Sequence, residues 1–297
     1  MVQQPHTRHL VPFDGSFRVA ASPTAPPSKA MSKKDLKAAM ADNTSALADL
    51  QDLLYAHDKH AVLLVFQAMD AAGKDSTIRA VLSGINPAGF QVFSFKKPSD
   101  EELDHDFLWR TASRLPERGR IGVFNRSYYE ETLVVQVHPG YLQGQKLPGE
   151  LDLPALWEER YDSIRDHERH LARNGTVVLK FWLNISRREQ LERFRARVER
   201  PDKNWKFEAG DVKESRSFDT YMRAYEDTLN ATSRPWAPWY AIPADDKPYM
   251  RWAVSDILRR TLEGLDLSYP TLDADDLAQI DALRAEIDHD LAEMKKR

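Results

Sequence analysis

The run Phe66 to Thr77 reads Phe-Gln-Ala-Met-Asp-Ala-Ala-Gly-Lys-Asp-Ser-Thr, and it constrains the fold more than any other stretch. It follows an apolar run, Ala61–Phe66, and opens an amphipathic segment. Strand, tight turn, Gly-Lys and a hydroxyl pair at a helix start describe a phosphate-binding loop. The first N–H groups of such a helix point at an anion, and the helix dipole favours its charge. Residues Ala71, Ala72, Gly73, Ser76 and Thr77 are therefore expected to cradle phosphate, with Lys74 adding a mobile positive charge.

The loop departs twice from the usual Gly, four residues, Gly-Lys-Ser/Thr. Ala68 stands at the first glycine position, and Asp75 replaces the magnesium-binding hydroxyl. The plain alternative is a strand-to-helix turn with a glycine for positive φ and a solvent-facing lysine. Asp70 is the more unusual element. A carboxylate in an anion-binding loop repels phosphate unless a cation lies between them, and Mg²⁺ held by carboxylate and phosphate oxygens resolves the conflict. Asp70 either binds that metal or orients the acceptor phosphate. Asp75 either joins it or caps the helix, where negative charge is favoured.

The rest of the chain alternates strand and helix patterns. Strands are expected at Ala61–Phe66, Phe90–Phe95, Gly119–Phe124, Thr176–Leu183 and Trp239–Ile242. Helices are expected at Met31–Ala56, Gly73–Leu82, from Ser99 to Arg114, Ser127–Val135, Ala155–Arg173, from Ser186 to Glu199, and around Phe218–Leu229 and Met250–Leu262. A last helix carries Leu277, Ile280, Leu283, Ile287 and Leu291. Alternation at this spacing predicts an α/β fold, a three-layer α/β/α arrangement around a mostly parallel sheet. Residues 1–30 read as a flexible arm, 31–270 as the catalytic domain with a lid near 184–215, and 271–297 as a C-terminal helix. Ligands in such folds bind outside the carboxyl ends of the strands. The loop, Lys96-Lys97 and Asn125-Arg126 all fall at such ends.

With 297 residues and 42% hydrophobic composition the chain can bury a real core. A net charge of −4 provides no global basic field for nucleic acid. Cysteine is absent, which removes disulfide and thiol chemistry and fits a reducing cytoplasm, the expected location. No signal peptide or membrane-spanning run is visible. The histidines lack metal-site spacing, and Trp236, Trp239 and Tyr240 read as packing.

Arg126 suits a bidentate clamp on phosphate. Tyr128, Tyr129 and Glu130 either shape an acceptor site or, for the tyrosines, pack in the core. Arginine crowds the segment after the fourth strand, at Arg187, Arg188, Arg193, Arg195, Arg197 and Arg200, followed by Lys203 and Lys206. A solvated helical face explains most of them. A closing arginine would stabilise charge on a transferred phosphoryl group, and Arg187, then Arg188, stand nearest the strand end. Lys180 is anomalous inside a buried strand, so its ammonium is expected to reach an anion or carboxylate near the sheet edge.

At these residues the chain closely resembles the polyphosphate kinase 2 family. The matching stretches are Asp70–Asp75, Phe124–Glu131, Lys180–Leu183, Asn204–Phe207, Tyr225–Tyr240 with its Asn230–Ser233 core, and Asp245–Lys247. Together they span roughly residues 35–270. The resemblance implies a thymidylate-kinase-like P-loop fold with a helical lid, and a homodimer or homotetramer. It implies phosphoryl transfer between inorganic polyphosphate and the adenine nucleotides AMP and ADP, with Mg²⁺, or Mn²⁺ in its place. It implies that Lys74 and Arg126 bind the transferring phosphate and that Asp70 binds metal or activates the acceptor. Asn125 replaces an aspartate of other subclasses. Its pairing with Glu130 looks like the class III type, which accepts both AMP and ADP. The nucleotide's adenine end is expected toward Lys96, Lys97 and Tyr129. An ATP-dependent nucleotide kinase and a non-catalytic polyphosphate binder are the rival readings.

Overall fold

The computed structural model describes residues 5–202, 204 and 209–295. Lys203, Lys206 and most of the Asn204–Phe207 stretch thus lie outside the described residues. The chain divides into two units, up to Leu267 and from Ser268 onward.

The first unit is built on a five-stranded parallel sheet of order β2-β3-β1-β4-β5. These strands are β1 (Ala61–Gln67), β2 (Phe90–Ser94), β3 (Ile121–Asn125), β4 (Thr176–Asn184) and β5 (Trp239–Pro243). β1 is central and buried along its whole length, as its unbroken apolar run requires. In register, Phe66 lies opposite Asn125, and Asn125 opposite Ser94. The carboxyl ends of β1, β3 and β2 therefore form one rim.

Helices flank the sheet: α1 (Lys33–His57), α2 (Lys74–Val81), α3 (Asp100–Leu103), α4 (Trp109–Ala112), α5 (Val134–Val137), α6 (Leu153–Arg173), α7 (Arg187–Glu199), α8 (Ala209–Glu214), α9 (Phe218–Thr232) and α10 (Lys247–Glu263). Side-chain caps start several of them. Ser32 accepts from the Asp35 amide, Ser186 from Glu189 and Asp246 from Tyr249. Ser99 and Glu102 form a reciprocal capping box at α3.

Two expected helices are broken. The one from Ser99 stops at Asp104, where the Asp106 side chain captures the Leu108 amide at 2.9 Å and offers the backbone a turn instead. The Ser127–Val135 segment forms a 3₁₀ turn over Tyr128–Glu131 before α5. Here the hydroxyls of adjacent Tyr128 and Tyr129 both donate to Glu168 Oε1, at 2.9 and 2.8 Å. Consecutive residues of an α-helix point about 100° apart, so the regular helix opposes that shared acceptor.

The described part of the N-terminal arm is hydrogen-bonded to β5 and α9. β5 is an edge strand whose backbone groups need partners. The Val11 amide donates to Trp239 O at 2.9 Å and the Ala241 amide to His9 O at 2.8 Å. Further along, the Val19 backbone amide donates to Glu226 at 2.7 Å and the Asn184 side-chain Nδ2 to Ser22 O at 3.1 Å.

The second unit carries one helix, α11 (Ala274–Met294), capped by Asp273. Leu277, Ile280, Leu283, Ile287 and Leu291 on it are exposed. Among the described residues no helix is long and apolar enough to cross a membrane.

Candidate active site

The loop between β1 and α2 turns through two left-handed residues, Ala71 at φ 63° and Gly73 at φ 109°. At Gly73 a Cβ would approach Ser76 Oγ to 3.3 Å and Met250 Cε to 3.4 Å, so glycine answers both conformation and space. The Ser76 and Thr77 hydroxyls donate to Gly73 O at 3.0 and 2.9 Å, tying the first helical turn to the loop. Thr77 is fully buried, so its hydroxyl is structural.

Lys74 Nζ folds back over the loop and donates to Ala68 O at 2.7 Å. Burial, joined by the Arg126 charge, lowers its pKa below that of a free lysine, while Asp70, Glu130 and Asp75 oppose the shift. Arg126 stands just past β3 with φ 65°, and its amide is held by Phe66 O at 3.0 Å. A non-glycine residue pays about 1–3 kcal/mol for such a conformation unless its surroundings fix it. Here the guanidinium lies between two acids, donating to Asp70 Oδ1 at 2.8 Å and Glu130 Oε2 at 3.3 Å. Burial raises the Glu130 pKa, and Arg126 and Lys74 oppose that rise. Lys74, Arg126, Asp70 and Glu130 thus form one electrostatic cluster on the rim.

Asn125 donates to Asp75 Oδ1 at 2.6 Å and to Ser94 Oγ at 3.3 Å, so Asp75 is bound to the neighbouring strand end. Lys96 and Lys97 follow β2 at the same rim and are exposed. Beside the cluster lies a cavity of about 120 Å³, walled by Asp70, Arg126 and Glu130 and by His138, Tyr221 and Tyr225. His138 Nε2 and the Tyr221 hydroxyl both meet Glu214 Oε1 at its edge. These last residues come from the loop after α5, the end of α8 and α9, and only their aromatic or acidic character marked them in the sequence.

Three expected placements are corrected. Lys180 is fully buried, its ammonium bonded to Glu168 at 2.6 Å, the Tyr129 hydroxyl at 2.8 Å and Thr232 O at 2.9 Å. Its partner is a carboxylate, but one inside the core and away from the rim. Tyr129 is buried in the same network and presents no ring to a ligand. Arg187 and Arg188 are exposed: Arg187 lies 4.0 Å from Asp219, and Arg188 pairs with Glu192 at 2.9 Å.

The arginine of α7 that reaches the loop is Arg193. It donates to Ala72 O at 2.6 Å and Ala71 O at 3.1 Å, and to Ala244 O at 2.7 Å and Asp245 O at 3.2 Å. Glu189 holds its Nε at 2.7 Å. One turn earlier, Gln190 donates to Asp70 O at 3.0 Å. The helix therefore clamps the phosphate loop by its carbonyls.

Among the described residues no group of three His, Asp or Glu side chains is placed to hold a metal ion alone. Asp70, Glu130 and Glu214 are the carboxylates lining the cavity, and Glu214 is taken up by His138 and Tyr221.

The comparisons with known proteins agree with this architecture. A family model described as polyphosphate kinase 2 matches residues 30–269. An ADP-polyphosphate phosphotransferase of Rhodopseudomonas palustris is 60% identical over 75% of this chain and 78% of its own. An AMP/ADP-polyphosphate phosphotransferase of Meiothermus ruber is 47% identical over 75% of this chain and 80% of its own. The crystal structure of polyphosphate kinase 2 from Arthrobacter aurescens superposes with a TM-score of 0.84 at 39% identity, covering 91% of this chain and 93% of that one. With a matching family model over most of its length, relatives of this identity and the same parallel sheet, the chain belongs to the polyphosphate kinase 2 family.

Proposed function

We propose that the protein transfers the terminal phosphate of inorganic polyphosphate to AMP and ADP, giving ADP and ATP. The observation that carries this reading is the convergence of Lys74 and Arg126 on the Asp70–Glu130 pair at one sheet rim. Two polyanions meeting end to end need cations at the junction and an acid beside it.

The donor chain lies along the loop amides and Lys74, whose ammonium leaves Ala68 O for a phosphate oxygen. It continues over a second basic group. Arg251 has a buried Nε without a hydrogen-bond partner, and burial together with Arg79 and Arg193 lowers its pKa. Three cations in mutual repulsion favour an anion among them. The acceptor phosphate enters the cavity beside Arg126. One of its oxygens attacks the terminal phosphorus in line. A P–O bond forms, the bridging P–O bond breaks, and the shortened polyphosphate leaves with the electron pair. Little covalent assistance is required, so positioning and charge neutralisation do the catalysis. Arg126 orients the attacking phosphate, and Lys74 follows the charge on the transferred group.

Mg²⁺ is commonly held by one or two carboxylates, with substrate phosphates and water completing its shell. Asp70, with Glu130 nearby, matches that donor set. When bound, the ion would neutralise charge on the phosphate oxygens. Asn125, neutral and engaged with Asp75, adds no carboxylate, and Glu130 then serves the smaller AMP acceptor. The assembly we propose is a homodimer or homotetramer, which sedimentation velocity decides.

The test is product analysis with polyphosphate, Mg²⁺ and AMP in the absence of ATP. Successive ADP and ATP are expected. Product only when ATP is supplied as donor would establish an ordinary nucleotide kinase instead. ATP from ADP, but nothing from AMP, would remove the role given to Glu130.

A further inference from the structure

A second cavity, of about 320 Å³, lies between the N-terminal segment and α10. Its size is at the lower end of small-molecule sites, roughly 300–1,000 Å³. Arg8, Lys29 and Arg260 supply three cations to its wall, and among the described residues Asp256 supplies the single carboxylate there. Asp256 is already engaged, at 3.0 Å from Arg259 and 3.8 Å from Arg260. Arg8 and Lys29 have no ion-pair partner among the described residues, and both are exposed at the mouth.

The floor is aromatic. Tyr249 and Trp252 line it with ring centroids 5.5 Å apart. Tyr249 is fixed by its hydroxyl, 3.0 Å from His9 Nε2. Burial and the Arg8 charge lower the His9 pKa to about 4, so His9 is a neutral prop at physiological pH and not another cation. The cavity thus joins an aromatic floor, whose two rings are tilted by 51°, to a cationic mouth without an ion-pair partner among the described residues. An inorganic polyanion uses no aromatic floor, and a neutral apolar ligand uses no guanidinium.

We propose that this cavity binds a nucleoside monophosphate, with its base on Trp252 and its phosphate between Arg8 and Lys29. The site is separate from the catalytic rim. Arg8 and Lys29 precede residue 30, where the family match begins, so the pocket depends on a segment outside that match. It is also placed to be felt at the loop. Tyr249 stands in the cavity, while its neighbour Met250 lies against the position of a Gly73 Cβ.

The experiment is photolabelling of the full chain with an azido-adenosine monophosphate probe, followed by tryptic peptide mapping. Label is expected on the peptide 252–259 as well as on peptides of the catalytic rim. Arg8→Ala with Lys29→Ala should reduce the 252–259 label by about tenfold, the loss of a charged hydrogen bond or two, and leave the rim label in place. Both substituted side chains are exposed, and a thermal melt checks that the variant folds. Label confined to the catalytic rim overturns the proposal, as does a 252–259 label undiminished in the double variant. A failure of polyphosphate transfer itself leaves this result unaffected.

Discussion

Lys74 follows β1, and Lys180 lies inside the adjacent β4. Burial lowers the pKa of both, that of Lys180 to about 8. Their surroundings differ in one decisive respect. An ammonium has three donors. Lys180 places them on Glu168, Tyr129 and Thr232. Among the described residues Lys74 has a single hydrogen bond, to the carbonyl of Ala68. The core lysine is satisfied by the protein, whereas the rim lysine is held in place with capacity left for a ligand. A buried cation is therefore no guide to function until its donors are counted.

The strongest way to break the contrast is Lys74→Ala. Loss of a cation that follows the transferring phosphoryl group should lower kcat by roughly a thousandfold or more. The melting temperature should stay close to that of the parent chain, since one carbonyl contact is lost. Discontinuous turnover assays beside thermal melts read both quantities. An active variant, or one that unfolds early, would place Lys74 in the same class as Lys180.

The opposite outcome is expected in the core. Glu168→Ala leaves the Lys180 ammonium and two tyrosine hydroxyls without their acceptor. Removing one partner of a buried pair costs about 3–5 kcal/mol. Glu168→Leu combined with Lys180→Met, which removes both charges, should recover a good part of that stability. Urea unfolding of the two variants gives the comparison. If the double variant is no more stable than Glu168→Ala, the pair contributes more than mutual neutralisation.

A smaller effect separates Arg193 from a simple charge. Its guanidinium spans four carbonyls on two segments, a geometry that an ammonium cannot copy. Arg193→Lys should lower kcat by about ten- to a hundredfold, the scale of a displaced catalytic group. Because Arg193 positions the loop and does not bind AMP, the KM for AMP should move little. A larger change in that KM than in kcat would make it a nucleotide contact.

The difference between rim and core also marks what was legible in the chain. The strand Ala61–Gln67 and its loop were readable because a continuous apolar run ending at Gly-Lys has few other meanings. Asn125 and Arg126 were readable by the same logic at the end of β3. Lys180 and Tyr129 were not, because Glu168, which holds both, sits on α6 and joins them only through the fold. Arg193 was hidden among similar arginines. Its signal was the helical face it shares with buried Gln190, three residues before it. Proximity to the strand end favoured Arg187, but facing direction decides which guanidinium meets the loop.

The finest test concerns proton binding. The Lys74 pKa is displaced below 10.5, chiefly by burial and then by the Arg126 charge. Its charged form is thus lost earlier as pH rises, and kcat/KM for polyphosphate, which reports the free enzyme, should decline on the alkaline side with a midpoint below 10.5. Arg remains protonated throughout that range. In Lys74→Arg the alkaline decline should therefore move outward, even though the residual rate is lower. A pH series at fixed ionic strength on both proteins measures the displacement. The same limb in both would assign it to another group, and the free donors of Lys74 would then have no part in holding the polyanion.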